Sequence, residues 1–247
     1  MKEMKAMLYR SHRGGVYYTP ENTMAAFRDA IKAGFDQIET DPCCTKDGVV
    51  VLMHDRTINR TCRNADGSEI VGEIRPEEMT YEELMQYDAG ICKGEAFRGE
   101  KIPRLDELIA LAEGTGVHIA LDKKIATSNM EPLFAVVEKY NTPVSFSCAD
   151  TERIRTVQAR FPDAHIDYDG ETTEEKLREV CALVKPENLI VWMYLDKPNF
   201  AWLVDRMKVS PENCARTKKF ARLGIANVNN AYDVREALSY DPYIVEV

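Results

Sequence analysis

The opening of the chain decides its fold, and residues 8–55 read LYRSHRGGVYYTPENTMAAFRDAIKAGFDQIETDPCCTKDGVVVLMHD. A short apolar run at 8–10 comes first, as in a buried strand. The stretch MAAFRDAIKA then places apolar residues at helical spacing, with Asn22 as a candidate cap and Gly34 as a stop. Apolar, β-rich residues return after Gly34. This order of strand, helix and strand predicts neighbouring parallel strands.

The same alternation continues through the rest of the chain. Helical patterns separate most of the later strand candidates and include a long one from Phe200 to Leu223. Those later strands lie at 36–41, 49–55, 117–122, 143–147, 165–169, 189–195, 225–228 and 243–247. Repeated strand–helix units predict an α/β fold, a TIM (β/α)8 barrel. Since nine candidates exceed the eight strands of such a barrel, we expect one, near 165–169 or 189–195, to lie outside it.

One segment, about 56–102, interrupts the alternation of strands and helices. It contains several glycines and many charges but little sustained periodicity. Long irregular segments inside a compact domain are usually functional, so we predict an insertion that shapes or covers a site. A chain of 247 residues is an ordinary length for one barrel, and we predict a single domain over 1–247.

The amino-acid composition limits which partners and which cellular compartment we expect. Acidic residues number 41 against 32 basic ones, and the net charge of −9 disfavours nucleic acid as a partner. Seven cysteines without a C-x-x-C pair predict neither a disulfide framework nor a thiolate zinc site, and they suit a reducing compartment. The opening lacks the apolar core of a signal peptide, and no stretch approaches the length of a membrane span. We therefore expect a cytoplasmic protein without an integral membrane segment.

Polar side chains cluster where predicted strands end, which is the end that carries the active site in such barrels. Glu39 and Asp41 are two apart on one strand and so point to the same side. A turn at Asp47 and Gly48 would bring His54 back beside Asp41. The full set of candidate site residues is His12, Arg13, Glu39, Asp41, His54, Asp122 and Lys124.

The chemistry of these residue types points to phosphate esters. Carboxylates suit one hard cation, Mg²⁺ or Ca²⁺, while Arg13 and Lys124 suit a phosphate. Two histidines can act as general base and general acid near neutral pH. Taken singly, each residue also fits a solvated strand edge or turn, and only their shared position favours a site. His118 and His165 open their strands and are expected to be structural.

The stretch 12–62 resembles the opening of the glycerophosphodiester phosphodiesterases. It contains that family's HRG, PENT, AF, E-x-D, T-x-DG and HD elements in order. Weaker agreement continues through IPRLDELIAL at 102–111, VHIALDKK, and the Ser-Phe of PVSFS at 145–146. The resemblance implies a distorted TIM barrel with an insertion after the HD strand.

The resemblance also implies roles for the site residues. His12 and His54 would be the acid/base pair, and Arg13 would bind phosphate. Glu39 and Asp41 would bind Mg²⁺ or Ca²⁺. The family usually has Glu-x-Lys at the fourth strand, where this chain has Asp122-x-Lys124, so Asp122 is expected as the third metal ligand.

The implied reaction converts a glycerophosphodiester, a small-molecule substrate, into sn-glycerol 3-phosphate and an alcohol. The second half departs from the family pattern, with IANVNN and YIVEV at its last strands, and leaves the alcohol open. Alternatives are a lysophospholipase D-like activity with an apolar entrance from Met79, Ile91 or Phe97, and a catalytically silent phosphodiester-binding module. A metal-dependent C–N or C–O hydrolase would be expected to use histidine ligands. Whether the protein is a monomer or a homo-oligomer is left open.

Overall fold

A computed structural model describes residues 7–197 and 204–247. The strands are β1 Leu8–Ser11, β2 Gln37–Thr40, β3 Pro42–Cys44, β4 Val50–Leu52, β5 His118–Leu121, β6 Val144–Cys148, β7 His165–Tyr168, β8 Leu189–Tyr194, β9 Arg222–Ala226 and β10 Ile244–Glu246. Eight of them are parallel and follow the order of a closed barrel, β1–β10–β9–β8–β7–β6–β5–β2. The predicted barrel fold is confirmed.

Helices alternate with the barrel strands. They are α1 Met24–Ala33, α2 Tyr81–Leu84, α3 Leu105–Ala112, α4 Glu131–Val137, α5 Thr151–Arg160, α6 Glu174–Cys181, α7 Pro211–Lys218 and α8 Ala231–Ser239. In the part of the chain that is described, no helix is long and apolar enough to cross a membrane. The long helix expected from Phe200 to Leu223 is only partly found, as α7, and its first four residues lie outside the described residues.

The prediction of which strand lies outside the barrel was wrong. Both 165–169 and 189–195 supply barrel strands, β7 and β8. The strand left out is β4, which pairs antiparallel with β3 in a separate two-stranded sheet. The reason is connection length, because parallel neighbours need a crossover of about a dozen residues or more and a short turn permits only an antiparallel hairpin. Gly48, at φ 81°, lies in that turn.

Helix α1 shows how local sequence sets an element next to the site. Thr23 caps it, because its side chain accepts a hydrogen bond from Ala26 N at 3.3 Å, and Gly34 ends it at φ 83°. Asn22, expected as the cap, adopts φ 53° outside the helix instead. Its side chain belongs to the site described below.

The chain divides into two compact units, residues 11–144 and the described residues of 1–10 and 145–247. The unit 11–144 contains the predicted insertion, which consists of turns and short helices between β4 and α3. The insertion packs on a core of its own with the preceding hairpin. That core comprises Val51, Met53, Ile58, Cys62, Leu84, Ala89 and Ile102. The single domain over 1–247 stays a prediction.

The other unit combines an apolar cluster with a buried polar network. The cluster includes Met193, Leu223, Ile225 and Val245. In the network, Asp167 is 1% exposed and accepts hydrogen bonds from Arg10, Ser145 and Trp192. Satisfied buried networks of this kind hold strands in one register.

Candidate active site

The seven predicted site residues all lie in the unit 11–144, at or just beyond the carboxyl ends of strands. His12 and Arg13 form a single turn after β1, while Glu39 and Asp41 come from the end of β2. Asp122 and Lys124 follow β5. His54 differs, because it follows β4 of the hairpin and not a barrel strand.

The turn after β1 depends on glycine. Arg13 has φ 52°, and Gly14 follows at φ 78°. A Cβ atom at Gly14 would lie 2.7 Å from Cδ1 of Phe27 in α1, closer than real atoms pack. This close approach turns the backbone inward, and the Arg13 amide donates a hydrogen bond to Glu39 Oε2 at 3.0 Å.

The Arg13 guanidinium lies between two carboxylates. Its Nη1 donates to Glu21 Oε1 at 2.9 Å, and its Nε lies 3.4 Å from Asp41 Oδ2. The Asn22 side chain donates to that same Asp41 oxygen at 2.9 Å and accepts from Thr40 Oγ1 at 2.7 Å. Glu21 and Asn22 were missed as site residues, although both belong to the PENT motif at 20–23.

The predicted return of His54 to Asp41 is confirmed by the backbone. Met53 N donates a hydrogen bond to Asp41 O at 2.9 Å, which places the next residue beside the end of β2. His54 Nδ1 lies 2.6 Å from Asp55 Oδ1. Burial raises the pKa of Asp55, but hydrogen bonds from Arg60 and His54 outweigh it and lower that pKa to about 2. An ionised carboxylate can only accept, so Nδ1 carries the proton and Nε2 is the atom left for chemistry.

His12 lies on the other side of the Arg13 turn. Its Nε2 is 4.0 Å from Glu39 Oε2. Loss of hydration among the surrounding protein atoms, helped by the charges of Arg13 and His54, lowers the pKa of His12 to about 3, so the ring is neutral at physiological pH. The side chain keeps 36% of its surface exposed and remains accessible to a ligand.

Lys124 lies between two of the predicted metal ligands. Its Nζ is 3.7 Å from Asp41 Oδ1 and 3.8 Å from Asp122 Oδ2. Burial first, and then the charge of Asp122, raise the pKa of Asp41. Two carboxylates facing one ammonium group are suited to a cation, and the oxygen donor set suits a hard one. Within the described ranges, no three His, Cys, Asp or Glu side chains are gathered closely enough to hold an ion.

A cavity of about 350 Å³ opens beside His54 and Lys124. Its wall contains residues of the β3–β4 hairpin, the insertion and the loop after β5, among them Cys43, Cys44, Glu77 and Asn129. Burial raises the pKa of Cys43 to about 12, so this thiol stays protonated and is a poor nucleophile.

Fold and site together define the class of protein. It is a barrel enzyme for a phosphate ester, in which imidazole, carboxylate and basic side chains lie together at the strand ends. The sequence model that describes the glycerophosphoryl diester phosphodiesterase family matches residues 12–180, and the chain belongs to that family.

Individual relatives agree. A glycerophosphodiester phosphodiesterase from Caldanaerobacter subterraneus is 33% identical over 189 residues, 74% of this chain and 71% of the relative. Glycerophosphodiester phosphodiesterase 1 of Homo sapiens is 38% identical over 116 residues, which are 46% of this chain and 33% of the human protein.

Solved structures share the fold over nearly the whole chain. A putative glycerophosphoryl diester phosphodiesterase from Silicibacter pomeroyi superposes with a TM-score of 0.81 at 21% identity. The superposition covers 99% of this chain and 90% of the Silicibacter pomeroyi chain. An Oleispira antarctica phosphodiesterase, solved with the product sn-glycerol-3-phosphate, gives a TM-score of 0.76 at 21% identity, covering 97% and 92%. At such identities the likeness concerns the fold.

Proposed function

We propose that this enzyme, a glycerophosphodiester phosphodiesterase, hydrolyses a small glycerophosphodiester to sn-glycerol 3-phosphate and an alcohol, with His12 and His54 as its acid/base pair. The observation that carries the proposal is the pairing of two differently held imidazoles around the Arg13 turn. His54 is fixed through Nδ1 by Asp55, and His12 is neutral and accessible. The Oleispira antarctica enzyme, bound to sn-glycerol-3-phosphate, supports the choice of product.

The proposed reaction begins at a free hydroxyl of the glycerol. One histidine accepts the hydroxyl proton as its oxygen bonds to phosphorus, and the other donates a proton to the departing alcohol. The resulting cyclic phosphodiester is then opened by water, with the two histidines exchanging roles. Arg13 and Lys124 are proposed to bind the phosphoryl oxygens, whose developing charge they offset.

We further propose that one divalent cation, Mg²⁺ or Ca²⁺, binds at Glu39, Asp41 and Asp122, and that these carboxylates, which are not gathered closely enough to hold an ion as described, draw together when it binds. The support is the position of Asp41 and Asp122 on either side of one ammonium group, and the raised pKa of the buried Asp41. When bound, such an ion supplies positive charge that stabilises the phosphoryl oxygens in the transition state.

The 350 Å³ cavity beside His54 is proposed as the site of the departing alcohol. A cavity of this size is within the range of ordinary ligand pockets and is large enough for a head group such as choline or ethanolamine. We propose that a single domain carries this activity in the cytoplasm and that nucleic acid is not a partner.

One observation favours a second candidate, a lysophospholipase D-like activity. Tyr17 and Tyr18 follow the Arg13 turn and are 54% and 88% exposed. Exposed aromatic side chains of this kind suit an interface with an amphiphile. Of the three residues suggested for an apolar entrance, Met79 packs against the core of the insertion, while an entrance at Ile91 or Phe97 stays a prediction.

The test is release of glycerol 3-phosphate from glycerophosphocholine and glycerophosphoethanolamine with Mg²⁺, with Ca²⁺ and with chelator. We expect release with one ion and none with chelator. His12→Ala or His54→Ala should lower kcat by about 10²- to 10⁴-fold. His165→Ala is the matched control, since that exposed histidine begins β7 and is expected to be structural.

Glu39→Gln should raise the cation concentration needed for half-maximal rate. Folded protein that releases nothing from either substrate under any condition would refute the proposal. Release of an alcohol from lysophosphatidylcholine in that case would favour the second candidate, and binding without turnover would favour a silent module.

A further inference from the structure

Arg60 belongs to the insertion, six residues after His54, and joins two parts of the site. Its Nε donates to Asp55 Oδ2 at 2.5 Å, and its Nη2 also reaches Asp55 Oδ1 at 3.2 Å. On its other edge, Nη1 and Nη2 donate to Glu21 Oε2 and Oε1 at 2.9 and 2.7 Å. The planar guanidinium therefore holds two carboxylates in fixed positions.

Each of those carboxylates holds a proposed functional group. Asp55 accepts from His54 Nδ1, while Glu21 accepts from Arg13 Nη1 at 2.9 Å. A continuous series of hydrogen bonds thus connects the imidazole of His54, through Arg60, to the guanidinium of Arg13. All of its members lie within the unit 11–144.

Stability alone is a weak explanation for these contacts. The Arg60 side chain is 50% exposed, and ion pairs with one exposed partner usually stabilise a fold by less than about 1 kcal/mol. Their fork geometry, by contrast, restricts where Asp55 and Glu21 can point. Misplacing a reacting group by about 1 Å can cost about a hundredfold in rate, so geometry is where Arg60 matters.

We propose that Arg60 is a positioning residue, which sets His54 through Asp55 and Arg13 through Glu21, so that the insertion forms part of the active site. This inference rests on the proposed function of His54 and Arg13. The hydrogen bonds of Arg60 go to the two carboxylates, and it acts on His54 and Arg13 through them.

The test compares Arg60→Ala, Arg60→Lys and wild type, in the divalent cation that supports wild-type turnover. Arg60→Ala should lower kcat/KM by about 10- to 100-fold. Arg60→Lys should recover only part of the loss, since an ammonium keeps the charge but cannot bind both carboxylates with a planar fork. The control is Arg98→Ala, another insertion arginine of similar exposure, 41%, which pairs with Glu95 and should leave turnover unchanged.

A double-mutant cycle separates positioning from a general loss of structure. In the Asp55→Asn background, Arg60→Ala should lower kcat less than in wild type, because the route to His54 is already broken and only the route through Glu21 to Arg13 is left to lose. Equal losses in both backgrounds would overturn the proposal, as would Arg60→Ala turnover within twofold of wild type.

Nitrogen-15 spectra of labelled histidines give a readout that needs no substrate. In wild type, His54 should show the proton on Nδ1, and Arg60→Ala should shift the tautomer signals toward a mixture. A wild type without turnover would refute the proposed function, and the spectra would then decide on Arg60 alone. Unchanged His54 spectra in a folded Arg60→Ala protein would overturn the positioning role.

Discussion

Asp167→Asn removes one negative charge from a deeply buried ion pair between Arg10 and Asp167, with almost no change in volume. Asp167 is 1% exposed, and Arg10 Nη2 lies 2.9 Å from both of its carboxylate oxygens. Arg10 is itself 2% exposed, so the substitution leaves a buried guanidinium without its closest counter-ion. Breaking a buried pair in this way costs about 3–5 kcal/mol of unfolding free energy.

We expect the loss of unfolding free energy to lie near the lower end of this range, at about 3 kcal/mol. Glu246 still lies 3.8 Å from Arg10, and the asparagine can still accept a hydrogen bond from Ser145 or Trp192. For a chain of this length, that corresponds to a fall in Tm of about 6–12 °C. Urea unfolding at pH 7, followed by circular dichroism, measures it. A loss below about 1 kcal/mol would refute the reasoning.

The same pair predicts a dependence on pH. Burial raises the pKa of Asp167, but the charge of Arg10 and the hydrogen bonds from Ser145 and Trp192 hold it below its ordinary value of 3.8. A lowered folded-state pKa contributes stability that is complete above that ordinary value and is lost as pH falls through the folded-state pKa. The difference between wild type and Asp167→Asn should therefore be full at pH 7 and shrink in acid. Asp163→Asn, which removes an exposed pair with Lys185, is the control and should leave stability almost unchanged at both pH values.

Three further substitutions test the site and the insertion. Gly14→Ala should destabilise the protein by more than about 1 kcal/mol and abolish turnover, because φ is 78° and Phe27 leaves no room; a stable, active variant in thermal melts and the phosphodiester assay would contradict this. Asn22→Ala should lower kcat/KM about tenfold, since Asp41 loses a hydrogen bond from Nδ2; kinetics at saturating cation would show no change if Asn22 were only structural. Asp88→Ala should speed amide exchange across 89–100, because its carboxylate accepts three backbone N–H bonds there; unaltered exchange rates would rule this out.

The structure brings together the site residues predicted from strand ends, and their proposed roles now rest on measurable contacts. Lys124 Nζ lies 3.7 Å from Asp41 and 3.8 Å from Asp122, so residues that follow β2 and β5 meet as predicted. What sequence reasoning missed are the partners that hold them. Asp55 lies next to His54 in sequence, but only its 2.6 Å contact with Nδ1 identifies it as the partner of that imidazole.

The wrong strand assignment has a physical reason that was visible in the sequence. VVVLMHD has the composition of a buried barrel strand, and composition reports burial without reporting the partner. The turn at Asp47 and Gly48 is too short for a parallel crossover, so the hairpin followed from chain length alone. The hairpin also matters for chemistry, because it delivers His54 from outside the barrel strands.

The sequence by itself determined the alternation of strands and helices, the family, and the end of the strands at which the site lies, because periodicity and short motifs are local properties of the chain. Only the tertiary structure decided how Arg60 is used. Its partners lie 5 and 39 residues away, and whether one guanidinium reaches both depends on how the insertion folds back over the Arg13 turn. Contacts at such separations follow from the packing of the whole unit, which no local pattern encodes.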